Sequence, residues 1–276
     1  MLRPFALFLA ACAALAPALA RPAAAQTDLL NDLVRIEVLD GGPTARGTYM
    51  AALRLTLSDG WKTYWRAPGD AGVPPSFDWR GSRNLRDLAM TWPAPQVFEA
   101  NGMQTIGYKH QLVLPIEVTP ARDGQPVRLR GHMEIGLCSD ICVPGQLDID
   151  HQIDPKAGRN PAIAAALAQR PYSAAEAGVR AAACRLTPTA DGLRVEARIT
   201  MPSAGGQEVV VIEPGAPGIW ASEAETRRQG DTLIAASELV SESGGAFALD
   251  RSALRITVLG SSRAVDIRGC DADGRG

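Results

Sequence analysis

The sequence predicts a mainly β protein: two β-sandwich domains joined by a short helical linker. Three observations carry this expectation. Apolar and polar residues alternate over many short runs, the pattern of half-buried strands. Aromatic residues make up only 5% of the chain, while 27 glycines and 20 prolines punctuate it. A breaker-rich interval, Asp154 to Pro161, separates two such alternating regions. Short strands with frequent turn residues suit sandwiches rather than helical bundles.

At the amino end, Arg3 precedes an apolar run from Phe5 to Leu19, with Ala18-Leu19-Ala20 and Ala23-Ala24-Ala25 at its exit. A positive start, a short apolar core and small residues at the exit describe a secretory signal, with cleavage expected after Ala25. The run is too short for a good membrane span, so the mature protein is expected to be soluble and exported. Organisation follows as signal 1–25, a β-sandwich over 26–155, a linker over 156–183 and a second β domain over 184–276.

In the first domain, residues 32–40 and 48–57 alternate as strands, with Leu53, Leu55 and Leu57 on one face. After a Ser58-Asp59-Gly60 turn, Trp61, Tyr64 and Trp65 crowd beside a Gly/Pro-rich loop. Trp61 and Trp65 are expected to plug the core, with partner docking as the second reading. Residues 75–79, 85–92 and 112–118 add short strands, and between them Phe98, Met103, Ile106 and Tyr108 flank an Asn101-Gly102 turn. Such apolar bulk around a turn suggests a cover over something.

The stretch Val127 to Ile149 carries the chemistry. Val127, Leu129, Met133, Ile135 and Leu137 share one face, which sends Arg128, Arg130, His132, Glu134 and Cys138 to the opposite, solvent-facing side. Cys138 and Cys142 can bond only if the chain reverses between them, since residues four apart in a straight strand lie roughly 13 Å apart. Ser139, Asp140 and Pro144-Gly145 suit that reversal.

In the linker, Pro161 suits the first turn of a helix to Gln169, and Ser173 with Glu176 forms a capping-box pattern for a second helix ending near Ala183. Alternation resumes from Cys184, with strands expected around 193–199, 209–212, 233–235, 254–258 and 265–267.

Cys12 leaves with the signal, so the mature chain keeps Cys138, Cys142, Cys184 and Cys270. Three pairings are possible, and spacing favours Cys138–Cys142 as a small exchangeable ring and Cys184–Cys270 as a structural staple. A net charge of −2 provides no basic field for nucleic acid. Phosphate loops, serine elbows and paired-histidine metal motifs are missing. Asp140 between the thiols disfavours a thiolate, so activation has to come from outside the loop.

At Gly60-Trp61-Lys62-Thr63-Tyr64-Trp65-Arg66, Pro93 to Val118 and Leu137-Cys138-Ser139-Asp140-Ile141-Cys142-Val143-Pro144, the chain resembles the amino-terminal, immunoglobulin-like domain of the periplasmic thiol:disulfide interchange protein DsbD and its relative ScsB, which implies immunoglobulin-like sandwiches. The resemblance spans roughly residues 31–153. It implies a redox pair at Cys138 and Cys142 that takes electrons from a membrane relay protein and passes them to thioredoxin-like periplasmic partners. The pair would lie under a cap loop containing Phe98, Glu99, Met103 and Tyr108, and no cofactor would be needed. Family members usually attack with the cysteine nearer the carboxyl end, here Cys142. The cysteine gap is shorter than in better-known members, and Glu99 stands where they carry an acidic pair. Two alternatives from other classes are a Cu(I) site with Met133 or Met103 near the thiolates, and a purely structural sandwich.

Overall fold

The computed structural model describes residues 30–100 and 102–272, so the expected signal segment lies outside the described residues. Ten strands build the first unit: β1 Val34–Pro43, β2 Tyr49–Leu57, β3 Lys62–Tyr64, β4 Ser76–Asp78, β5 Leu85–Met90, β6 Gln96–Ala100, β7 Met103–Lys109, β8 Gln111–Pro120, β9 Arg128–Cys138 and β10 Cys142–Gln152. They form two sheets, ordered β1-β2-β8-β5 and β10-β9-β3-β7-β6, with β4 also pairing β9.

The two-residue period of the sequence decides what lies between them. Leu53 and Leu55 of β2, Leu114 and Ile116 of β8, and Leu129, Met133, Ile135 and Leu137 of β9 are all buried in one core. Burying each such side chain contributes roughly 1.5–3 kcal/mol, which fixes strand register because a one-residue slip would expose the whole set. Trp65 is fully buried in this core and Trp61 packs partly against it, as the plug reading expects.

Helix α1, Pro161–Ala168, starts as the linker sequence predicts: Asn160 caps it by accepting from the Ala162 N–H at 3.0 Å, and Pro161 occupies the first turn. The expected second helix does not form. Its capping box is made, with Ser173 N–H donating to Glu176 Oε2 at 2.7 Å and Glu176 N–H to Ser173 Oγ at 3.3 Å. Gly178 then adopts φ +70°, a left-handed conformation that stops the turn, and by Ala181 the chain is a strand.

The second β domain comprises β11 Tyr172–Ser173, β12 Ala181–Pro188, β13 Gly192–Thr200, β14 Val209–Glu213, β15 Ile219–Ala221, β16 Glu225–Gln229, β17 Thr232–Ser241, β18 Arg255–Leu259, β19 Ala264–Arg268 and β20 Asp271–Ala272. Its sheets run β11-β19-β18-β14 and β15-β17-β13-β12-β20, with β16 also on β17. A disulfide joins Cys184 on β12 to Cys270 beside β20, so the end of the domain is tied to its beginning.

The two units touch directly. Arg66, just after β3, makes a bidentate pair with Glu213 of β14 at 3.0 and 2.8 Å and reaches Thr257 Oγ1 at 3.2 Å. Its guanidinium lies 3.9 Å from the centre of the Trp65 ring, within cation–π range. Nearby, Asp70 accepts a hydrogen bond from the Glu223 N–H at 2.9 Å. A cleft of about 270 Å³ runs between these contacts.

Candidate active site

Cys138 ends β9 and Cys142 begins β10, directly opposite in the hairpin register. The intervening turn is closed by Ser139 N–H donating to the Ile141 carbonyl at 2.9 Å. The reversal brings the two Cα atoms to 4.2 Å, and the sulfurs are bonded. The ring therefore sits at the end of a long antiparallel ladder rather than in a free loop.

The two sulfurs occupy different surroundings. Cys142 is exposed and Ile141 beside it is 66% exposed, whereas Cys138 is only 1% exposed. This corrects the expectation that Cys138 faces solvent. The face was assigned properly by parity, opposite Leu137 and Ile135, but that face is not bare. Lys62 on β3 pairs directly with Cys138, and two residues further on the Tyr64 ring lies against β9 at Gly136. A Cβ at Gly136 would come within 2.9 Å of that ring and 3.2 Å of Val73, so only glycine leaves space for the cover.

Tyr64 is the residue that touches both sulfurs. Its hydroxyl lies 2.9 Å from Cys138 Sγ and 3.6 Å from Cys142 Sγ. Neither disulfide sulfur carries a proton, so the hydroxyl donates. Burial pushes the Tyr64 hydroxyl above its usual pKa and keeps it a donor through neutral pH. Sequence reasoning missed this residue. The available signal was the period of β3, which puts Lys62 and Tyr64 on one face and Thr63 and Trp65 on the other, together with the glycine in β9 opposite Tyr64.

The β6–β7 hairpin carries the residues expected to cap the pair. Successive pairings from β9 through β3 and β7 to β6 place Phe98 and Met103 on the cysteine face. The same parity sends Glu99 and Tyr108 to the opposite face. Tyr108 is a core residue, 6% exposed, stacked on Trp92 and donating its hydroxyl to the Pro93 carbonyl at 2.8 Å. Glu99 looks toward the second domain, where its charge, after burial and the charge of Asp70, contributes to raising the pKa of Glu223. Phe98 is framed by cations: Lys62 Nζ lies 5.2 Å and Lys109 Nζ 4.9 Å from its ring centre. Lys62 Nζ also donates to Thr105 Oγ1 at 2.8 Å.

Met133, a candidate soft ligand, is buried on the core face of β9 and so lies across the sheet from Cys138. Among the described residues, no three His, Cys, Asp or Glu side chains cluster in a way that could hold a metal ion. Cys184 is fully buried, and its bond to Cys270 lies in the second domain.

The family model for the N-terminal part of thiol:disulfide interchange protein DsbD matches residues 38–152, an interval that holds the Cys138–Cys142 hairpin and both sheets of the first unit apart from the start of β1. Among solved structures, the N-terminal periplasmic domain of ScsB from Proteus mirabilis superimposes with a TM-score of 0.67 at 22% identity, covering 88% of this chain and 95% of that one. At that identity the likeness concerns the fold, and its coverage extends across the second β domain. No curated protein is similar enough to count as a match. Residues 38–152 thus form an immunoglobulin-like β domain that matches the DsbD N-terminal family, and a second β domain follows.

Proposed function

We propose that the protein is a periplasmic thiol–disulfide exchange module that passes reducing equivalents from a membrane relay to thioredoxin-like proteins through Cys138 and Cys142. The observation that carries the proposal is the asymmetry of the pair: one sulfur exposed at a hairpin tip, the other buried under Tyr64. An incoming thiolate or disulfide can reach Cys142, which supports Cys142 as the attacking sulfur and Cys138 as the resolving one. In the reduced protein, the Cys142 thiolate attacks a partner's disulfide, and one partner sulfur leaves as thiolate. Cys138, losing its proton, then attacks Cys142 Sγ and releases the partner as a dithiol. Two electrons pass to the partner and the ring closes again.

Phe98 and Met103 are proposed as the cover on the cysteine face, with Phe98 held between the two lysines. The location follows from the same reading: an exposed exchangeable disulfide persists in an oxidising compartment. The test is a trap. Cys138→Ser should accumulate a mixed disulfide with a thioredoxin-like protein, reversible by reductant, while Cys142→Ser should not. An adduct only with Cys142→Ser would reverse the two roles. No adduct with either variant would remove the exchange function.

A further inference from the structure

Lysine is scarce in this chain. Against 25 arginines there are three lysines, Lys62, Lys109 and Lys156, and the first two stand on the cysteine face. Many arginines in the fold take carboxylate partners, as Arg54 does with Glu37 and Arg66 with Glu213. Lys62 has none among the described residues. Its ammonium rests on neutral groups: Thr105 Oγ1 at 2.8 Å, the Phe98 face at 5.2 Å and the Tyr64 ring at 6.0 Å. That is a costly place to hold a cation, and burial first, then the charge of Lys109, push its pKa down.

We propose that Lys62 is the positioning residue that stabilises the thiolate of the reduced Cys138/Cys142 pair, with Lys109 as the second positive charge behind it. The inference rests on the exchange reading for why a thiolate is needed. Lys62 and Cys138 are direct cross-strand partners, a relationship that places Cβ atoms about 4.5–5.5 Å apart on one face. The oxidised ring is neutral and gives the ammonium nothing to pair with. Reduction, followed by loss of one thiol proton to solvent, creates an anion on that face beside an unpaired cation.

The groups around the pair set the balance. Lys62 and Tyr64 on β3 and Lys109 on β7 favour the anion, Tyr64 by donating its hydroxyl. Glu134 and Asp140 on the cysteine hairpin oppose it, although Glu134 accepts from Ser76 Oγ at 3.1 Å and Asp140 is exposed. Glu99 on β6 lies on the other face of its strand. Burial disfavours an anion on Cys138, and the two lysine charges work against that cost for the pair.

The experiment follows alkylation of the reduced protein as a function of pH, with thiols counted by mass spectrometry. Lys62→Gln keeps a donor for Thr105 and removes the charge; Lys62→Arg keeps the charge. The glutamine variant should raise the apparent thiol pKa by about one unit, slowing alkylation near neutral pH roughly tenfold. The arginine variant should stay within about twofold of the wild type. A glutamine profile superimposed on the wild type, or an equal shift in both variants, overturns the proposal. The wild type supplies an independent check: its apparent thiol pKa should lie below the ordinary value of about 8.5 and rise with added salt, and a value at or above 8.5 overturns it equally. These profiles use no partner protein, so failure to trap a partner would sink the exchange reading and leave the role of Lys62 separately decided.

Discussion

The hydroxyl of Tyr64 lies 2.9 Å from the sulfur of Cys138, the buried member of the pair, and 3.6 Å from that of Cys142. A hydrogen bond to an ionised group contributes about 1.5–3 kcal/mol, against about 1 kcal/mol for a neutral one. Tyr64→Phe should therefore spare the oxidised fold and slow thiol–disulfide exchange of the reduced protein by roughly tenfold or more. Stopped-flow exchange with a small disulfide, beside a thermal melt, checks both halves. Unchanged exchange would reduce Tyr64 to a packing residue.

The two disulfides should open in sequence. Cys142 offers an exposed sulfur at a hairpin tip, whereas Cys184 is wholly buried. In the chain-entropy model the short ring stabilises by about 2 kcal/mol and the long loop by roughly 4.6 kcal/mol. Graded reductant with alkylation mapping should label Cys138 and Cys142 first, and removing the Cys184–Cys270 bond should cost on the order of 2–5 kcal/mol. Earlier labelling of Cys184 would contradict the assignment.

Phe98 and Tyr108 should respond oppositely, because strand parity puts them on different faces of one hairpin. Phe98→Ala should speed alkylation of the reduced thiols with little loss of stability. Tyr108→Ala should cost about 3–5 kcal/mol through the cavity and the orphaned Pro93 carbonyl. Urea titrations of both variants settle the point; equal destabilisation would mean that Phe98 is also core.

Arg66 joins the two domains and stacks on Trp65, one residue after Tyr64. Arg66→Met should strand the Glu213 carboxylate, costing about 2 kcal/mol for a pair that keeps some solvent contact. It should also alter exchange at the disulfide through β3. Calorimetry and exchange rates measured on the same variant would reveal whether both move; a change in neither would make the contact incidental.

Acid should weaken the second domain. Burial works against ionisation of Asp266 and Glu208, yet Arg255 holds Asp266, and Arg228 holds Glu208, below their ordinary values of 3.8 and 4.5. A carboxylate with a depressed folded pKa contributes stability that is complete above its unfolded value and lost as pH falls through the folded one. Stability should therefore hold near neutrality and decline once pH passes below about 4.5, continuing below 3.8. Asp266→Asn should flatten the lower part of that decline in urea titrations at graded pH. An unaltered slope would assign acid sensitivity elsewhere.

Much of the fold was legible because strand period and turn residues are local. Leu53, Leu55, Leu129 and Leu137 announce their core face without any knowledge of their neighbours. The surroundings of Cys138 were not legible in the same way. Parity gave its face, but the cover comes from Tyr64, 74 residues earlier, and the glycine in β9 that admits it becomes a signal only once the two strands are known to pair. The failed helix after Ser173 shows the converse: a local start signal was present and used, and Gly178 then outweighed it. Lys62 escaped notice because a single strand lysine is unremarkable until its cross-strand partner is known to be Cys138.

The register of β9 against β10 has a kinetic meaning. Eleven consecutive residue pairs, from Gln152–Arg128 to Cys142–Cys138, place the two cysteines face to face through backbone pairing along the whole ladder. Opening the ring then requires little backbone rearrangement, and the free thiol experiences its neighbour at an effective concentration far above that of any molecule in solution. A mixed disulfide formed at Cys142 should be short-lived, resolved before the partner can diffuse or be attacked by a third thiol. Throughput is gained, and intermediates become invisible unless Cys138 is removed.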